Sequence, residues 1–239
     1  MTKQLVFFSL IFLLVFSCKE DVSITFEDTV FTPKTLSEVD IIYPHVKENH
    51  NVAKLINSEI EHYIVQQIDF KDDSTLSIED AIKTFDDELK QFKTDFPESP
   101  QYWELSIEGE VLYQTPQLIC IGINSYSYTG GAHGNDRIDF LNFAPETGKL
   151  LSITDLIDDM EGFSKLVETH LEQTIKKNKN ESMDDYFFGE GFKLPESLGF
   201  NEEGLIILYN KYEIASYAQG ITEFVIPYEE ADPFLKIIP

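Results

Sequence analysis

Apolar positions recur along this chain in two rhythms, and where the rhythm changes an element ends. Val52, Leu55, Ile56, Ile60, Tyr63 and Ile64 follow helical spacing, which predicts a helix from Val52 onward. A second helix follows. Ser77 and Asp80 resemble a capping box, and Ile78, Ile82, Phe85, Leu89, Phe92 and Phe96 then step by fours and threes until Pro97. That stripe predicts one buried face, with Asp86 and Asp87 on its solvated flank. Period two appears before and after these helices. "SEVDIIYPHV" reads as a strand ended by Pro44, and in "YWELSIEG" Trp103, Leu105 and Ile107 alternate with Glu104, Ser106 and Glu108. "QLICIGINSYSY" and "RIDFLNFAPETGK" flank a glycine-rich turn, so an antiparallel meander is expected there.

"SITDLI" opens a short helix. Phe163, Leu166, Val167, Leu171 and Ile175 mark a longer one, closed by Lys176, Lys177 and Lys179, whose charges suit a helix C-terminus. "FNEEGLIILY" predicts a hairpin around the turn cluster from Asn201 to Gly204, and "TEFVIP" a last strand stopped at Pro227. This order predicts an α+β fold: mostly antiparallel sheets with helices packed on one face, in two successive subdomains at 34–135 and 136–239.

The N-terminus departs from both rhythms. Lys3 precedes an apolar run from Leu5 to Phe16, too short to span a bilayer, which takes ~20 residues. A basic start, an apolar core and then Ser17-Cys18 have the order of a secretory signal over residues 1–17. Cys18 after a small residue resembles the lipobox of bacterial lipoproteins, in which the cysteine is lipidated and becomes the first residue. A plain signal peptide cut nearby is the alternative. Residues 18–33 then read as a tether with room for one short strand, and Lys19-Glu20-Asp21 resembles an outer-surface export tag. The expected location is the envelope of a Gram-negative cell, anchored by lipid to the outer membrane and facing the periplasm or the outside. With Cys18 lipidated, Cys120 has no partner and is expected to be a small buried hydrophobe.

Charge narrows the partners. Lys+Arg number 18 against 43 Asp+Glu, a formal net charge of −25. Such a chain repels nucleic acid and anionic lipid surfaces and attracts cationic partners. The 42% hydrophobic content, 13% aromatic, is ample for a core.

The candidate site is the turn "YSYTGGAHGN". Gly130, Gly131 and Gly134 take positive φ at little cost, and Asn135 tolerates it. They would hold His133 at a defined place, either locking the turn through a backbone hydrogen bond or meeting a ligand. Tyr126 and Tyr128 share one strand face by period two, which with His133 predicts an exposed aromatic patch. Other chemistry finds less support. His45, His50, His62, His133 and His170 are scattered, short of a zinc cluster. "DFKDDSTLSIED" lacks the alternating ligands and central glycine of an EF-hand. No Gly-x-Ser-x-Gly elbow or phosphate loop is present, and Ser127 near His133 does not make a triad. No metal, cofactor or catalytic set is therefore expected.

"YTGGAHGN", "FNFAPETGKLLSITDL" and "YNKYEIASYAQGITEFVIPYEE" together resemble the extracytoplasmic module shared by RsiV-type anti-sigma factors and PdaC-type peptidoglycan deacetylases. The resemblance covers about residues 34–236, with Ser216 standing where many relatives carry Pro. It implies the shared module alone, without the sigma-binding segment of the one type or the deacetylase domain of the other. "TFDD" at 84–87 and "HVKENH" look like pieces of deacetylase metal motifs, but Glu88-Leu89 replaces the expected Gly-Pro, and the histidine spacing and order are wrong. The resemblance implies a non-enzymatic envelope binding protein. Its partner is expected to be a basic protein such as lysozyme, matching the acidic charge. The alternative is a cell-wall glycan bound around Tyr126, Tyr128 and Trp103.

Overall fold

A computed structural model describes residues 23–69, 76–178 and 182–237. Cys18 and the N-terminal segment lie outside the described residues, as does Lys179. The first module contains β1 (Phe26–Phe31), β2 (Glu38–Val46), α1 (Asn51–Ile68), α2 (Ile78–Asp95), β3 (Glu104–Gln114), β4 (Ile119–Tyr128) and β5 (Asn135–Phe143). The five strands form one sheet in sequence order. All neighbours are antiparallel except β2 and β3, which run parallel because the α1–α2 pair crosses between them. The second module adds α3 (Ile153–Leu156), α4 (Met160–Asn178), β6 (Leu198–Phe200), β7 (Gly204–Tyr209), β8 (Thr222–Pro227) and α5 (Tyr228–Ala231). Its sheet is an antiparallel β6-β7-β8.

Strand alternation divides the molecule into two cores. Ile41, Tyr43, Leu105, Ile107, Ile119, Ile121 and Ile123 point to one face of the large sheet and pack with Ile56, Ile60, Ile64, Ile82 and Phe85 of α1 and α2. Leu118, Cys120 and Phe140 point the other way and join Phe163, Val167, Leu171, Phe200 and Tyr209 of the second module. The second module thus sits on the far face at β4 and β5. The far face of β2 and β3 carries acidic side chains together with Ile42, Pro44 and Leu112.

Polar anchors fix this docking. Asn210 acts like an extra strand residue: its Oδ1 accepts from the Ile138 N–H at 2.9 Å and its Nδ2 donates to the Ile138 carbonyl at 2.8 Å. Asn142 Nδ2 donates to the Leu198 carbonyl at 2.7 Å. Arg137 pairs with Asp139 on β5 and with Glu196 of the second module, while Tyr63 of α1 donates to Asp139. Burial first, then the Asp139 charge, pushes the Tyr63 phenol well above its usual range.

Several expectations need correction. Phe26–Phe31 is the short strand weighed for the stretch read as a tether, but it pairs along β2 over its whole length, so that stretch belongs to the sheet. The divide expected at 135/136 cuts inside one sheet, since β5 runs to Phe143. Pro44 does not end β2. The β2–β3 ladder stops at Ile42, so no β3 carbonyl needs its missing N–H, and Gly109 leaves room for its ring. The α2 stripe stays buried only to Leu89: Phe92 is half-buried, and Phe96, past the helix end, is exposed.

Asp86 overturns the solvated-flank reading. Its side chain is buried, and one carboxylate oxygen accepts from Leu36 N–H at 2.7 Å, Ser37 N–H at 2.8 Å and Ser37 Oγ at 2.9 Å. Lys90 caps the other oxygen at 2.9 Å. Burial opposes its ionisation, but the Lys90, Ser37 and Leu36 hydrogen bonds together outweigh it and hold the carboxyl below its usual range. Asp87 is on the surface, as expected, bonded to Lys83 and Lys90.

Candidate functional site

The β4–β5 turn follows the glycine reading in part. Gly130 and Gly131 have φ of 91° and 143°, outside the range most side chains adopt. Gly134 is needed for space rather than for φ, because an added Cβ would lie 2.3 Å from the Tyr126 ring. Tyr126 therefore lies across the turn. Tyr128 closes it from the other side, its hydroxyl donating to the Gly131 carbonyl at 3.3 Å.

His133 makes the backbone hydrogen bond weighed for it. Its Nδ1 lies 2.9 Å from the Gly134 carbonyl, so Nδ1 carries the donated proton. Its ring is exposed and stacks on Tyr217, centroids 3.7 Å apart at 17°. Tyr217 comes from the second module, in a turn held by Ser216 and Gln219, with Ser216 N–H and Oγ each 3.0 Å from Gln219 Oε1. Lys211 sits 4.5 Å from the centre of the Tyr217 ring and pairs with Asp136 on β5. Tyr212, at φ 66° and 55% exposed, lies 5.9 Å from Tyr217.

On the first module, Tyr102 is 54% exposed and lies 5.2 Å from the Tyr128 ring. Tyr126 is close enough to Tyr102, Tyr128, Tyr217 and Glu104 for burial and then their charges to push its phenol upward. Tyr102, Tyr126, Tyr128, His133, Tyr217 and Tyr212 thus form one aromatic surface across both modules.

Carboxylates border it. Glu104 is directly opposite Tyr128, Glu38 is beside Glu104 on the parallel β2, and Asp40 is beside Ser106. Glu38, Asp40 and Glu104 alternate with the buried Ile41, Leu105 and Ile107 and so share the face of Tyr126 and Tyr128. Among the described residues, none of these three carboxylates forms an ion pair with a lysine or arginine.

Trp103, grouped with Tyr126 and Tyr128 in the glycan reading, is elsewhere. It lies under α2 against Phe85 and Phe92, centroids 5.3 and 6.2 Å away. The alternation that aligns Tyr126 with Tyr128 sends it to the opposite face. Tyr102, Tyr212, Tyr217 and Lys211 were missed. Tyr212, Tyr217 and Lys211 had as sequence signal only that "YNKYEIASYAQG" and "YTGGAHGN" both carried the resemblance, and Tyr102 only its place two residues before Glu104 on the wet face of "YWELSIEG".

The remaining histidines serve locally. His50 caps α1, its Nδ1 accepting from Ala53 N–H at 3.0 Å, and His45 lies 3.0 Å from Asn57 Nδ2. Among the described residues no three His, Cys, Asp or Glu side chains are placed to hold a metal ion together. Cys120 is buried, its Sγ accepts from the Phe200 N–H at 3.3 Å, and burial pushes its thiol up to about 12.

Two family models match successive parts of the chain. Deacetylase PdaC matches residues 30–136, and the protein of unknown function family DUF3298 matches residues 154–229. The peptidoglycan-N-acetylmuramic acid deacetylase PdaC of Bacillus subtilis is 25% identical over 180 residues. That match takes in 70% of this chain but only 38% of the relative. A crystal structure of a DUF3298 family member from Bacteroides fragilis superposes with TM-score 0.68 at 18% identity, covering 92% of this chain and 97% of that one. One from Pseudomonas aeruginosa gives 0.64 at 19% identity, covering 90% and 94%. These likenesses establish the α+β fold. The chain therefore carries a PdaC/DUF3298-like domain, and the stretches that the two models match meet at His133 and Tyr217, among other contacts.

Proposed function

We propose that this protein is a non-enzymatic binding module of the bacterial cell envelope, tethered by a lipid on Cys18, that holds cell-wall glycan on the aromatic surface. The observation that carries this reading is the stacking of His133 on Tyr217, which joins exposed and half-buried rings of both modules into one platform. Sugar rings present C–H faces that pack on aromatic faces, while their hydroxyls pair with bordering polar groups. The likeness to a peptidoglycan deacetylase supports a wall ligand. The test is calorimetric titration with purified peptidoglycan fragments. Tyr217→Ala and His133→Ala should each weaken binding about tenfold with the fold intact. Unchanged affinity in both variants removes the surface from the account. For the anchor, Cys18→Ser should move the protein from the membrane fraction to the soluble one.

A second reading has its own observation. The far face of β2 and β3 presents Glu38, Asp40, Glu104, Glu108 and Glu110 on a chain of net charge −25, which favours encounter with a basic protein such as lysozyme. A lysozyme pull-down at low and at physiological salt tests it, and no retention at either would dismiss it.

A further inference from the structure

Resting on the glycan reading, we infer that the aromatic surface is selective for amino-sugar chains carrying free amines over their N-acetylated counterparts. The platform alone makes no such distinction, because the C–H face of a hexose is the same in both. The distinction comes from its border. Glu104 faces Tyr128 across the β3–β4 ladder and acts on the Tyr126 phenol, and Glu38 lies next to Glu104. A sugar lying on Tyr126 and Tyr128 therefore has carboxylates along its edge, within reach of a ring substituent.

The charge balance on that side is one-sided. Lys211, the cation at the Tyr217 ring, is already paired with Asp136. Glu38 and Glu104 have no lysine or arginine partner among the described residues. A ligand ammonium would supply the missing charge through a charge-assisted hydrogen bond. An acetamido group offers one neutral donor and a carbonyl that the carboxylates repel, and acidic substituents of the wall are repelled outright. The reaction class that would supply such a ligand is amide hydrolysis, in which water adds to the N-acetyl carbonyl, acetate leaves and the nitrogen remains as the amine.

The experiment compares a glucosamine pentamer with an N-acetylglucosamine pentamer on the full folded protein by calorimetry. The glucosamine chain should bind about tenfold more tightly, the discrimination expected of one charge-assisted contact. The advantage should shrink with salt and disappear as pH rises and the amines lose their protons. Glu104→Gln with Glu38→Gln should remove the preference, bringing the two pentamers to equal affinity. Tyr217→Ala should weaken both ligands. Equal affinity for the two pentamers overturns this inference and leaves the glycan reading in place, whereas binding of neither overturns that reading. Displacement of the glucosamine chain by spermine at equal charge concentration would show attraction to the acidic surface as a whole and also overturn the inference.

Discussion

At the scale of single residues, neighbours of one sequence motif have opposite roles. Asp86 ties α2 to the segment before β2 through three hydrogen bonds, while adjacent Asp87 bonds only to surface lysines. Asp86→Ala strands three donors at a buried site and should cost about 2–3 kcal/mol in urea unfolding, whereas Asp87→Ala should leave the midpoint nearly unchanged. The folded state holds the Asp86 proton less readily than the unfolded chain does. Its stabilisation is therefore complete above about pH 4 and is lost as the pH falls through the lower folded value, so Asp86→Asn should flatten the acid limb of the stability curve. Cys120 gives a chemical check. In a Cys18→Ser chain, iodoacetamide should label the one remaining thiol only after unfolding, because the buried thiol stays protonated at pH 8.

At the scale of elements, two glycines separate site from scaffold. In the β4–β5 turn, an alanine at 134 meets only the far end of the Tyr126 ring, which can swing away. Gly134→Ala should keep its melting temperature within a few degrees and lose glycan affinity, since the displaced ring belongs to the platform. On β7 the same change meets backbone. A Cβ at Gly204 would lie 2.1 Å from the Ile226 carbonyl oxygen on β8, so Gly204→Ala must open that ladder and should cost about 2–4 kcal/mol by thermal or urea unfolding. Element types were legible in the sequence because helical and strand periodicity each report a buried face. The β4–β5 and β6–β7 hairpins were legible too, but the parallel β2–β3 pair was not, because it depends on how α1 and α2 return the chain across the sheet.

At the scale of the whole molecule, a net charge of −25 is spread over a fold whose second module packs on the sheet of the first. Self-repulsion among the carboxylates should make added sodium chloride raise the melting temperature between low salt and about 0.5 M, while the same salt weakens any cationic ligand. The modules should also unfold in a single transition. Phe140 and Cys120, on the strands that floor the first core, are buried in the second, so the second core closes only on the formed sheet of the first module.

The sequence by itself determined the α+β class, the helices, the glycine-rich turn and the acidic character, because periodicity, turn chemistry and charge are local properties. It also placed Tyr126 and Tyr128 on one face, since alternation along a strand requires no partner. Only the tertiary structure decided which residues complete the surface. His133 and Tyr217 are far apart in the chain and meet because Asn210 docks on the backbone of Ile138. Trp103 leaves the surface, and Asp86 leaves the solvent, for the same physical reason. Which side of an element is buried depends on what packs against it, and here the large sheet is covered by helices on one face and by the second module on part of the other.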